Sequence, residues 1–198
     1  MTRSFKKKQD PRKRSNFATN FHETHVSAER LTINWCGNAG RSRELAAFFA
    51  QHVDPSYISH SELQGSRALS PDRWCNDLPD TLNAEIEPRL QQTGSAAPAR
   101  TSQPILVAEK DGDLVGLSFV TFAGAASVPF AVVEDVVVIP AMRSHGIGKS
   151  ILDWIAGEAR TRNIRRLFLE SGVRNERAHR FFEQDGFHVV SVVMMRSL

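Results

Sequence analysis

Leu31, Ile33 and Trp35 alternate with Thr32 and Asn34, a period of two that predicts a strand, and the glycines at 37 and 40 turn the chain behind it. Leu45, Ala46, Phe48, Phe49 and Val53 then recur at helical spacing until Pro55 ends the helix. Residues 56–92 are less periodic. Pro71, Pro79 and Pro88 divide them, and two short helices are expected, one around Trp74 and one over 82–90. The run TGSAAPARTSQP (93–104) holds nothing apolar larger than Ala or Pro and reads as a flexible loop.

Beyond this loop the pattern sharpens. Apolar runs at 105–109 and 114–122 flank Asp111-Gly112, a hairpin signal because such a turn demands positive φ. Residues 131–139 form another apolar run, closed by Pro140. Ile147, Ile151, Leu152, Trp154, Ile155 and Ala159 keep one helical face apolar to about residue 162. A short strand at 167–169, a helix through Ala178, Phe181 and Phe182 ending at Gly186, and a last strand over 187–194 complete the order. Helices interleaved with strands in this way predict an α/β domain with a mixed sheet.

Composition adds that 198 residues suffice for one domain with an extension, without disulfide or metal staples. Cys36 and Cys75 are too few for a cysteine framework, which favours a reducing cytoplasm. No apolar run has the length of a membrane span. The net charge of +3 is unevenly spread: residues 1–14 carry seven bases against Asp10, leaving the remainder acidic. Residues 1–28 are expected to be a disordered basic tail, with nucleic acid as a weak possible partner. The domain proper is expected over 29–198.

The segment with the most chemistry is Arg143-Ser144-His145-Gly146-Ile147-Gly148-Lys149-Ser150, between a strand and an amphipathic helix. Backbone N–H groups at a helix start, approached closely over glycine, bind anions. A P-loop would need glycine at 143, and a dinucleotide fingerprint would need it at 151; the residues are Arg and Ile. Arg-x-x-Gly-x-Gly, preceded by Glu134-Asp135 on an apolar strand and followed by Asn175 to Phe187, instead resembles the GNAT superfamily of acyl-CoA N-acyltransferases. The resemblance covers about 104–190 well, and 30–55 by pattern only.

It implies a splayed mixed sheet, with 41–103 on the acceptor side and 104–198 as the acetyl-CoA-binding core. By resemblance, the loop of Arg143, Ser144, His145, Gly146, Ile147, Gly148 and Lys149 cradles the CoA pyrophosphate. Pantetheine then runs beside Val136, Val137 and Val138, and Asn175 and Phe182 touch the cofactor. The implied activity is acetyl transfer from acetyl-CoA to a primary amine of a small molecule, without a metal.

Such transfer needs a base for the amine and stabilisation of the oxyanion and thiolate. Glu134 is the candidate base, against the plainer reading of a strand-edge salt bridge. Asp135 is expected on the opposite face, since side chains alternate along a strand unless a bulge intervenes. Where many relatives carry a tyrosine that protonates the thiolate, this chain has Phe182, and its single tyrosine, Tyr57, is distant in sequence. The thiolate then leaves unaided, or His179, Ser171 or a water serves; loss of catalysis, leaving a CoA-binding regulatory module, is the alternative. His22-Glu-Thr-His25 is one residue short of the zinc spacing HExxH, and the seven histidines are scattered.

Residues 41–103 hold six bases and eight acids, a wall suited to a cationic amine, with 57–64 as the candidate acceptor contact. A protein or tRNA-linked amine recruited by the tail is the other reading. Only 12 residues follow Gly186, so a second subunit could complete the sheet edge, and a homodimer is expected.

Overall fold

The computed structural model describes residues 30–93 and 98–198. The expected tail at 1–28, and 94–97 of the expected loop, lie outside the described residues. In chain order the elements are β1 (Leu31–Cys36), α1 (Ser42–His52), α2 (His60–Gln64), β2 (Ala68–Ser70), β3 (Arg73–Trp74), α3 (Leu78–Thr93), β4 (Thr101–Ser102), β5 (Ile105–Lys110), β6 (Asp113–Ala123), β7 (Phe130–Val138), α4 (Ile147–Thr161), β8 (Leu167–Leu169) and α5 (Glu176–Gln184). The main sheet runs β1-β5-β6-β7-β8, with β4 also on β6. The β7–β8 pair is parallel; the others are antiparallel. Asp111 and Gly112 take positive φ, as the hairpin requires.

Two apolar layers sandwich this sheet. On one face Leu45 and Phe49 of α1 and Leu82, Ile86 and Leu90 of α3 meet Leu117 and Phe119. On the other, Ile151, Leu152 and Ile155 of α4 meet Leu106, Val120 and Phe122, with Phe181 and Phe182 of α5 at the margin. Each side chain fully buried in this way contributes about 1.5–3 kcal/mol.

Three expectations change. Trp74 lies in the small β2–β3 hairpin, and the helix after it is one 16-residue α3 containing Pro88. An internal proline forfeits a hydrogen bond, at about 3 kcal/mol. Burial of Leu78, Leu82, Ile86 and Leu90 at four-residue intervals offsets that cost. Second, residues 187–198 form no strand: Val189, Val192 and Met194 stand 78%, 80% and 91% exposed. A valine-rich run becomes a strand only beside a partner backbone, and among the described residues none pairs with it.

The third change shapes the site. Phe119 pairs with Asp135 and Val120 with Val133, so Glu134 is an extra residue, a β-bulge in β7. The bulge reverses the alternation. Ala131 and Val133 pack on the α4 side, whereas Val137 packs on the α1–α3 side. Glu134 and Asp135 therefore both reach the α1–α3 face, toward Arg89 and Arg67 respectively. Beside the bulge, β8 pairs with β7 only from Ala131 to Val133, after which the two strands part.

Candidate active site

The parting strands open a cavity of about 550 Å³ bordered by Val136, Val137, Val138, Arg143, Ser144, Gly146, Gly148, Lys149, Asn175 and Phe182. Gly146, at φ 81°, leads into α4, and no side chain caps that helix. The first-turn N–H groups are thus available to an anion, with the helix dipole behind them.

The neighbouring cations divide the work. Arg143 is a brace: its Nε donates to the Val138 carbonyl at 3.0 Å and its Nη2 to the His52 carbonyl at 2.9 Å, tying loop to strand and to α1. Lys149 pairs with Asp153 and Asp185, which raise its pKa. Arg177 and Arg180 of α5 also border the cavity, and Arg177 Nη2 donates to Ser144 Oγ at 3.2 Å. Two of the expected loop residues do not border it. Ile147 is buried beneath in the α4 core, and His145 is exposed, with Nδ1 3.0 Å from the Arg143 carbonyl oxygen. Val137 borders the cavity, but its side chain belongs to the α1–α3 core.

A second cavity, of about 40 Å³, lies beyond, bordered by Tyr57, Ser59, Glu62, Glu134, Glu170 and Ser171. That is room for about three waters, or for the end of an amine. Glu134 accepts from Arg89 Nη1 at 2.7 Å and from Thr121 Oγ1, and its side chain remains 28% exposed. Glu62 accepts from the Ser59 N–H and hydroxyl as the capping box of α2, and Glu170 lies 3.6 Å from His60 Nε2. Val136, Asn175, Ala178, Phe182 and Tyr57 border both cavities, so these two spaces meet there. Asn175 caps α5 by accepting from the Ala178 N–H. Ser171 borders the smaller cavity, and His179 borders neither.

Tyr57 arrives from a distant segment. Asp54 caps the turn Pro55–Tyr57, and that turn lies over Gly172, where an added Cβ would stand 2.4 Å from the Ser56 carbonyl oxygen. The Tyr57 hydroxyl donates to Asp135 Oδ1 at 3.0 Å and accepts from the Val136 N–H at 3.1 Å. Asp135 also accepts from Arg67 Nη1 at 2.9 Å, and Arg67 binds Glu85 of α3. Burial pushes the Asp135 carboxyl above the usual carboxylate range, against the opposing pull of Arg67. Burial, then the charges of Asp135 and Glu62, hold the Tyr57 hydroxyl well above its ordinary value.

Of the expected acceptor segment 57–64, Tyr57, Ser59 and Glu62 border the smaller cavity. Arg67, Arg177 and Arg180 are not found from the sequence. The two α5 arginines, three residues apart, are on one helical face, a signal that could have been used. For Arg67 no local pattern exists.

The acetyltransferase (GNAT) family model matches residues 72–187. Solved structures agree in fold. Aminoglycoside N-acetyltransferase AAC(6')-Iy, in complex with CoA, is 16% identical with a TM-score of 0.61, over 87% of this chain and 97% of that one. A ribosomal-protein-alanine N-acetyltransferase from Brucella melitensis biovar Abortus is 21% identical with a TM-score of 0.55, over 86% and 99%. A transcriptional regulator from Bacillus halodurans is 20% identical with a TM-score of 0.60, over 85% and 100%. No curated protein matches the chain. With the splayed strands, the uncapped glycine turn before α4 and a family match across more than half its length, the chain belongs to the acetyltransferase (GNAT) family.

Proposed function

We propose that the protein transfers an acetyl group from acetyl-CoA to the primary amine of a small cationic molecule, such as a polyamine, amino sugar or amino-acid derivative, by direct attack. One observation carries the choice of acceptor: Glu62, Glu134 and Glu170 all border the narrow cavity that adjoins the larger one. An ammonium stem is attracted by such carboxylates, and 40 Å³ admits its end rather than a bulky group.

The larger cavity suits acetyl-CoA. The first turn of α4 and Arg177 and Arg180 would hold its phosphates, and its acyl end would reach the junction at Val136. Glu134, at the bulge, takes the proton of the attacking amine, and Arg89 and Thr121 hold its carboxylate in place. A panel of amines assayed for free CoA tests the proposal. Turnover should be confined to compounds carrying a primary amine on a slender stem, and an absence of turnover across the panel would refute it.

A second reading, a CoA-binding module without catalysis, draws on Phe182, which borders both cavities and carries no proton donor. It predicts thermal stabilisation by CoA with no acetylated product.

A further inference from the structure

We infer that the Tyr57 hydroxyl is a catalytic hydrogen-bond donor, placed to hold the negative charge that forms on the acyl oxygen during transfer. The inference rests on the proposed acetyl transfer and assigns it a residue from outside the cofactor-binding core.

Five residues border both cavities, and the reacting carbon must lie between those cavities. Val136, Ala178 and Phe182 have no side-chain donor, and the Asn175 amide is anchored by its oxygen, which caps α5. Tyr57 alone among the five brings an O–H. That hydroxyl is 3.1 Å from the backbone nitrogen of Val136, where β7 has lost its β8 neighbour. The Val136 N–H donates to that hydroxyl oxygen, which polarises the O–H and fixes the phenol in the strand gap. A donor held in place before charge develops is the arrangement that stabilises an oxyanion.

The hydroxyl can turn to an incoming oxygen by releasing Asp135 Oδ1. Asp135 Oδ2 keeps Arg67 Nη1 at 2.9 Å, so the carboxylate charge stays paired while Oδ1 gives up one neutral donor. The groups facing Tyr57 favour its neutral form: Asp135 from β7 and Glu62 from α2 are acidic, and Arg67 behind them is shared with Glu85. Glu134 lies across the smaller cavity. A phenol that stays protonated can donate without transferring its proton.

In the step itself the amine lone pair forms the N–C bond and the carbonyl π pair moves onto oxygen, where the Tyr57 O–H donates. That pair returns as the C–S bond breaks, and sulfur leaves as the CoA thiolate. The amine proton passes to Glu134. The thiolate, with a pKa near 8.5, takes a proton from water.

Tyr57 is the only tyrosine in the chain, so biosynthetic fluorotyrosine labels this position alone. Tyr57→Phe should lower kcat about 10²–10³-fold, with KM for acetyl-CoA nearly unchanged. Ring fluorination makes the phenol more acidic, so the alkaline fall of kcat should move to lower pH in the labelled protein, because a phenolate cannot donate. A tyrosine with only a packing role would leave that limb in place. The fluorine resonance should also move when acetyl-CoA is added. Turnover that survives Tyr57→Phe, or a resonance unmoved by acetyl-CoA, overturns this assignment alone. Absence of turnover in the unaltered protein would overturn the proposed function, and this assignment with it.

Discussion

The two cavities that meet at Tyr57 are built in opposite ways. The larger is bordered by neighbouring segments, the loop 143–149 and α5, beside the uncapped main-chain N–H groups that open α4. The smaller draws carboxylates from α2, from the bulge in β7 and from the end of β8, far apart in sequence. A phosphate offers the same oxygens in every cofactor, so backbone donors on a turn can serve it and the turn can be written in a short motif. A cavity walled by side chains can be supplied by any loop that reaches the sheet. The glycine turn is thus spelled locally, and the carboxylate-lined cavity is assembled by folding.

The strongest way to break this comparison is Glu134→Gln. It should cost about 10²–10⁴-fold in kcat at saturating amine, while calorimetric affinity for CoA stays the same. A parallel loss of CoA affinity would mean that the cavities are not separable. Next in size is Arg67→Met, which strips the buried Asp135 of its charged partner. Removing one member of a buried pair destabilises by about 3–5 kcal/mol, to be read as a lowered urea midpoint, whereas CoA affinity of the folded fraction should persist.

Smaller effects belong to the cofactor side. Arg177→Ala and Arg180→Ala should each raise KM for acetyl-CoA about fivefold or less, since exposed ion pairs are worth up to about 1 kcal/mol. The increase should shrink as salt is added. The smallest effect is alkaline. The unfolded chain ionises its tyrosine near 10, whereas the folded protein keeps Tyr57 neutral well above that. Stability is therefore fully present below that pH and falls as pH rises through and beyond it. Tyr57→Phe should remove this part of the alkaline loss, measured by melting temperature against pH.

The legible parts of the molecule share one property. The 105–122 hairpin, the amphipathic helix α4 and the Arg-x-x-Gly-x-Gly turn are each specified by residues within one short contiguous segment. The misread parts depend on partners elsewhere. Residues 187–194 carry four β-branched valines, as a strand would, yet among the described residues no backbone pairs with them. Pro88 marks a break by its own chemistry, but the packing of α3 against α1 carries the helix through it. The facing of Glu134 and Asp135 turns on a single extra residue in β7, which is a property of its pairing with β6 and is absent from the order of residues.

By itself the sequence determined the α/β class and the glycine turn that enters α4, and it offered Glu134 as the candidate base, because period, glycine placement and helix entry are short-range physics. Tertiary structure alone decided that Tyr57, 78 residues before Asp135, would set its hydroxyl against that carboxylate and the strand gap. The reason is geometric. A bulge and the close approach over Gly172 fix where a distant loop can lie, and neither leaves a period in the chain.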